Sequence, residues 1–176
     1  GRLRSRYQSC QSFDSRFGKV TIYIKGGKDY QIMRVLVQKC RNASVSVSGK
    51  TVGRCDFGLM LLVGFTEGDN SSNISYLVNK VLKLRIFEDE NGVMNRSVMD
   101  VGGSILSVSQ FTLYGDTSKG NRPSYIQALN GERAKELYDS FNQELSKSIS
   151  VQTGEFGADM EVSFTNLGPT TILLER

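Results

Sequence analysis

From Met33 to the C-terminus the chain is written in two hydrophobic periods, and that confines it to a sheet-rich α/β fold. Val35 and Val37 alternate with Arg34, Leu36 and Gln38, and Ala43, Val45 and Val47 alternate with Ser44, Ser46 and Ser48 before a Ser48-Gly49-Lys50 turn. Side chains two apart share one face of a strand, so these stretches read as two half-buried antiparallel strands. Leu59–Phe65 is continuously apolar and reads as a more fully buried strand, ended by Gly68-Asp69. The period then changes: Ile74, Leu77, Val78, Val81 and Leu82 recur at helical spacing behind an N-cap at Asp69, Asn70 or Ser71. A second helix is predicted over roughly 124–148, with Ala134, Leu137, Tyr138, Phe141 and Leu145 as its stripe and Gly131 interrupting its early part. Glu90-Asn91-Gly92-Val93 signals a hairpin, and Ile105–Leu113, Met160–Phe164 and Thr171–Leu174 read as further strands. Two helices and eight or more strands, mostly meander-like, imply helices gathered on one side of the sheet.

Composition adds bounds. The 176 residues, 39% of them hydrophobic, suffice for one domain with a real core. The longest apolar run, Leu59–Val63, is far too short to span a membrane. Cys10, Cys40 and Cys55 make an odd count without a C-x-x-C spacing, which speaks for structural thiols in a reducing cytoplasm rather than a disulfide framework or zinc site. Net charge is +4, but residues 1–32 carry seven Lys/Arg against Asp14 and Asp29. Residues 33–176 hold 15 basic and 16 acidic side chains, so the basic character belongs to a leader. That leader (1–32) is expected to be a non-native or disordered extension ahead of Met33. A targeting segment or an accessory strand at Thr21–Ile24 are the other readings. Residues 33–176 then form the single domain.

The chain contains no histidine, which removes Ser-His and Cys-His dyads and the usual general base near neutral pH. Glu88, Asp89 and Glu90 read as a solvated hairpin rim, and Gly102-Gly103 as a turn. Lys119-Gly120-Asn121-Arg122-Pro123-Ser124 is either a solvated loop or a phosphate contact ahead of a helix. Ser109-Gln110-Phe111-Thr112 is either a strand with polar residues facing water or a row of hydroxyl and amide groups beside a ring that can face a base. Gly168-Pro169 is either a plain turn or a rigid backbone whose carbonyls meet a ligand. A proline inside a β-like C-terminus costs a ladder hydrogen bond unless it sits at an edge or bend.

Taken in order and spacing, these segments resemble the D-aminoacyl-tRNA deacylase family over essentially all of 33–176. Further matches are Met33–Gln38, Leu84–Asp89, Gly103–Tyr114, Thr153–Met160 and Asn166–Pro169. The resemblance implies a three-layer β/β/α domain of mostly antiparallel strands with two main helices. It further implies a cytoplasmic homodimer, without metal or other cofactor, that hydrolyses the ester between tRNA and a D-amino acid, or glycine mischarged on tRNA(Ala). Catalysis falls on Ser109, Gln110, Phe111 and Thr112, with Thr112 a candidate nucleophile. In the favoured mechanism the tRNA ribose 2′-hydroxyl assists water while main-chain N–H groups around Phe111 hold the oxyanion. Substrate contacts fall on Gly168, Pro169, Asn166, Lys39, Lys119 and Arg122. The Gly168-Pro169 peptide is expected to be cis and to enter the partner subunit's site, where its carbonyls exclude an L-side chain. Lys39 stands where the family usually has arginine, and Leu167 and Thr170 also depart from its pattern; these changes bear on chiral stringency rather than on activity. The alternative is a non-catalytic nucleic-acid-binding module using the leader and the Lys119–Arg122 loop.

Overall fold

The computed structural model describes residues 9–15, 18–24 and 32–176, and the chain divides into two units, 1–30 and 31–176. In the first unit β1 (Ser9–Ser15) and β2 (Gly18–Ile24) pair antiparallel, Ser9 opposite Ile24 and Ser15 opposite Gly18. Thr21–Ile24 therefore lies within a strand, and residues 1–8, 16–17 and 25–31 of the leader lie outside the described residues.

The second unit is built on three long strands. β3 (Arg34–Val47) and β4 (Lys50–Gly64) are joined by Ser48 and Gly49. Both take positive φ, 49° and 78°, the two-residue turn whose twist matches that of paired strands. The two short strands expected over 33–48 are thus one continuous strand, and its partner is β4. Asn42, with φ 53°, lets the chain change face without leaving the ladder. Val35 and Val37 lie in one core cluster, whereas Ala43 and Val45 lie in another. Asparagine tolerates this conformation better than most residues.

α1 (Ser71–Lys83) starts at Asn70, whose side chain accepts from Ser72 N while Asn73 accepts from Asn70 N, a reciprocal cap. β5 (Phe87–Glu88) and β6 (Met94–Arg96) form the small hairpin. Asp89 caps it by accepting from Asn91 N and Val93 N, which holds its carboxyl below the usual range. β7 (Ser104–Ser109) then runs parallel to β4. α2 is Gly131–Ser146, shorter than predicted. Residues 124–130 are consumed by bridges from Ser124 to Asp116 and from Ala128 to Thr66, contacts that no local periodicity encodes. β8 (Val151–Thr153) and β9 (Glu161–Glu175) complete a five-stranded sheet in the order β8-β7-β4-β3-β9.

Both faces of the sheet are covered. On one, Leu77 and Val81 of α1 and Leu137, Phe141 and Leu145 of α2 pack on Val35, Val37, Leu59, Leu61 and Ile105. On the other, Met160, Val162 and Phe164 close over Met60, Leu106 and Val108, giving the β/β/α layering. Cys40 and Cys55 are free and buried in this inner layer with Sγ atoms 3.7 Å apart. Among the described residues no helix is long and apolar enough to cross a membrane.

Asp69 is a buried carboxylate of the domain. Its Oδ2 accepts from Thr66 N at 2.7 Å, while Oδ1 has no partner among the described residues. Burial outweighs the Thr66 hydrogen bond and pushes the carboxyl up from 3.8 to about 6. Folding therefore favours the protonated form, so this stabilisation is complete below the unfolded value and is lost as pH rises through about 6. Asp69→Asn is expected to gain about 1–3 kcal/mol relative to the parent chain between acid and neutral conditions. Thermal unfolding of both proteins from pH 4 to pH 8 measures the divergence.

Candidate active site

β4 and β7 are parallel, so their carboxyl ends open on the same side, the place where open α/β sheets bind ligands. Ser109 pairs with Val63 at the last rung, and Gln110 N donates to Val63 O at 2.8 Å. There the chain leaves the sheet: Phe111–Tyr114 is a single 3-10 turn, where an extended strand was expected as far as Leu113. The turn is held from outside. Arg34 Nη1 donates to Leu113 O at 2.7 Å and its Nε to Glu175 at 3.0 Å, while the guanidinium lies 4.8 Å from the Tyr114 ring centroid. Tyr114 is buried and donates to Gly64 O at 3.1 Å, and burial pushes its hydroxyl well up.

This junction floors a cleft of about 460 Å³. Ser109, Gln110 and Phe111 form one wall, the start of α2 at Asn130-Gly131 a second, and Phe156–Met160 the third. Thr112 stands exposed at the lip, and its hydroxyl accepts from Gln110 Nε2. Phe111 N and Thr112 N begin the turn and have no partner among the described residues, as the first N–H groups of any helical turn require. Asn130 makes no side-chain cap to α2, so the positive end of that helix also borders the cleft. Asp159 is the only ionisable side chain lining it among the described residues. A larger, more open hollow of about 620 Å³ on α2 contains none of the predicted residues.

The other predicted residues lie elsewhere. Gln38 pairs with Thr171 and Cys40 with Asn166, so Lys39 alone faces Leu167, Gly168, Pro169 and Thr170, which bulge from edge strand β9. Asn166 fastens the base of this protrusion: Nδ2 donates to Lys39 O and Thr170 O at 3.1 Å each, and Oδ1 accepts from Gln38 Nε2 at 3.3 Å. Gly168-Pro169 is a cis peptide, exposed at the tip and absent from the lining of its own chain's cleft. Lys39 is tied to the base of the protrusion through its main-chain carbonyl, which accepts from Asn166 Nδ2. Its buried side chain turns the other way, with Nζ 3.7 Å from Glu88 and 5.5 Å from the Phe87 centroid. Lys119 and Arg122 are exposed on the loop after the turn and make no ion pair among the described residues.

Sequence reasoning gave no role to Arg34, Tyr114 or the α2 N-terminus. Arg34 carries no local signal, because its partners lie 79 and 141 positions away.

Fold and cleft define a three-layer β/β/α protein whose site is made of main-chain donors and neutral polar side chains. Comparisons with known proteins narrow the class. The profile of the family described as D-Tyr-tRNA(Tyr) deacylase matches residues 36–175. The D-aminoacyl-tRNA deacylase of Anoxybacillus flavithermus is 53% identical over 144 residues, covering 81% of this chain and 99% of that protein. The D-aminoacyl-tRNA deacylase of Chloroherpeton thalassium is 54% identical over 145 residues, covering 81% and 95%. Among solved structures, a c-Myc DNA unwinding element binding protein superposes with a TM-score of 0.77 at 39% identity, covering 81% of this chain and 98% of that one. A probable eukaryotic D-amino acid tRNA deacylase shares the fold, with a TM-score of 0.70 at 21% identity over 82% and 100% of the two chains. The chain belongs to the D-Tyr-tRNA(Tyr) deacylase family.

The protrusion has little room for a side chain at its tip. Gly168 has φ 112°, and a Cβ there would lie 2.6 Å from Thr170 Oγ1 and 2.7 Å from Thr170 N. Gly168→Ala is expected to cost about 1–3 kcal/mol and to speed amide exchange over 166–171. Chemical denaturation and hydrogen exchange measure the two effects.

Proposed function

We propose that this protein hydrolyses the ester joining a D-amino acid, or glycine carried on tRNA(Ala), to the 3′ end of tRNA, releasing the free amino acid and tRNA. The observation that carries this reading is the cleft at Ser109–Thr112. Among the described residues, the main-chain donors of Phe111 and Thr112 are without partners beside an exposed ring, and Asp159 is the only ionisable side chain lining the cleft. Such a site can stabilise an oxyanion without supplying a strong base. Relatives more than half identical, named for this activity, support it.

In the reaction, water bonds to the ester carbonyl carbon and the bond to the ribose 3′-oxygen breaks. The water proton ends on that oxygen. The neighbouring 2′-hydroxyl of the substrate orients the water and relays the proton, while Phe111 N and Thr112 N hold the carbonyl oxygen as it gains charge. Thr112 accepts a hydrogen bond from Gln110, and no hydrogen-bonded base stands beside it among the described residues. Its hydroxyl positions and does not attack.

Chirality is read by exclusion. Gly168 and Pro169 are exposed and lie outside their own chain's cleft, so in this reading a second copy receives them, in a cytoplasmic homodimer. Main-chain carbonyls on a protrusion stapled by Asn166 occupy the space an L-side chain needs, whereas glycine passes. The nucleic-acid-module reading rests on the basic leader and on the exposed Lys119 and Arg122, and the deacylase reading also uses those two side chains for phosphate.

Thr112→Val should keep kcat on D-Tyr-tRNA within about threefold, whereas a terminal ribose lacking the 2′-hydroxyl should lose about 100-fold. Single-turnover hydrolysis reads both; a Thr112→Val loss near 1000-fold would make threonine the nucleophile, and an intact D-Tyr-tRNA with the parent protein would end the proposal. Pro169→Ala should raise cleavage of L-Tyr-tRNA by about tenfold or more while D-cleavage changes less. Parallel assays of the two enantiomers test this, and unchanged L-rejection would remove the excluding role.

A further inference from the structure

The loop from Gly115 to Asn130 presents apolar surface outside the cleft. Ile126 is 89% exposed, more than any other large hydrophobic residue of the second unit. One exposed isoleucine means little by itself, but this one is held in place. Asp116 and Ser124 exchange two main-chain hydrogen bonds of 2.9 Å, Ala128 N donates to Tyr125 O at 3.0 Å, and Leu129 N donates to Phe65 O at 2.9 Å. Thr66 Oγ1 also donates to Gln127 O at 2.6 Å. Residues on both sides of Ile126 are thus tied to the domain, and the loop does not bury it.

Its neighbour leads back to the cleft. The Tyr125 ring meets Phe111 edge to face, with centroids 5.1 Å apart and planes 76° apart. Phe111 lines the cleft and is itself 46% exposed. Tyr125 also crosses Gly115 so closely that a Cβ there would lie 3.2 Å from its ring. The same loop carries Lys119 and Arg122, exposed and without an ion pair among the described residues. Asp116, the nearest carboxylate in sequence, is engaged by Ser118 N at 2.9 Å. Ring, aliphatic surface and free cations, continuous with the cleft lip, are the elements by which proteins hold a single nucleic-acid strand: faces for bases and positive charge for phosphates.

We propose that Tyr125 and Ile126 form a shelf on which the base preceding the terminal adenosine of the tRNA 3′ strand stacks, with Lys119 and Arg122 taking the phosphates beyond it. This rests on the deacylase reading of the cleft and adds a second nucleotide subsite to it. The shelf supplies affinity for the RNA strand and takes no part in the chemistry.

The test compares D-Tyr-tRNA with a minimal ester, 3′-O-(D-tyrosyl)adenosine, on the full chain. Ile126→Ser should lower kcat/KM for the tRNA about tenfold, mostly through KM, and leave the minimal ester unaffected. Ile126→Trp should restore or exceed the parent value on tRNA. Equal losses on both substrates, or no loss on either, would overturn the shelf. A separate arm does not depend on hydrolysis: a short RNA ending in cytidine-adenosine, with a fluorescent cytidine analogue before the adenosine, should be quenched by the parent protein and much less by Ile126→Ser. Equal quenching by both overturns the shelf even if deacylation is confirmed. Quenching that differs, with both esters left intact, would keep the shelf and discard the deacylase reading.

Discussion

The domain depends on how closely β4 can approach β7. At Gly58 a Cβ would lie 1.9 Å from Ser104 O, and Gly58 takes φ 149°, so only glycine lets the two backbones meet there. From that point the parallel ladder runs six rungs, from Gly58 opposite Ser104 to Val63 opposite Ser109, and its last rung delivers the cleft segment. Both strands point their carboxyl ends the same way, so loops leaving them converge. The α2 N-terminus and the Phe156–Met160 segment complete the walls: α2 follows β7 in the chain and packs on the sheet face, and Phe156–Met160 follows β8, which pairs with β7 on the side away from β4.

The second constraint lies at the far edge. β9 is an edge strand, and its outer rim can give up ladder hydrogen bonds to water. Four residues opposite a single partner would break a central strand, but here Asn166 satisfies two carbonyls at the base while the tip stands in solvent. Proline is tolerated for the same reason. A protrusion of this kind adds nothing to its own core and presents main-chain acceptors outward, the property the chiral-exclusion reading uses.

Much of this was legible in local pattern. Alternation from Val35 to Val47 and from Met160 to Phe164, the helical stripe from Ile74 to Leu82, and the Asn91-Gly92 turn each follow from side-chain direction within a few residues. The misses share one cause. The start of α2 slid from 124 to Gly131 because Ser124 and Ala128 are bridged to Asp116 and Thr66. The strand expected through Leu113 ends at Ser109 because Arg34, 79 positions earlier, and Tyr114 with the Gly64 carbonyl hold a 3-10 turn. Lys39 shares a register position with the Gly168-Pro169 protrusion, yet its Nζ lies beside Glu88 and the Phe87 ring.

The sequence by itself determined the two periods, the absence of a histidine base, and an order of motifs specific enough to resemble one family. Those properties are carried by residue identity and short spacing. Only the tertiary structure decided that Ser109–Phe111 lies in a cleft whereas Gly168-Pro169 lies on an exposed edge. Only the tertiary structure placed Tyr125 against Phe111 with Ile126 left bare. These outcomes depend on strand order, on close approach at one glycine, and on hydrogen bonds spanning from 50 to 141 positions, none of which a local pattern records.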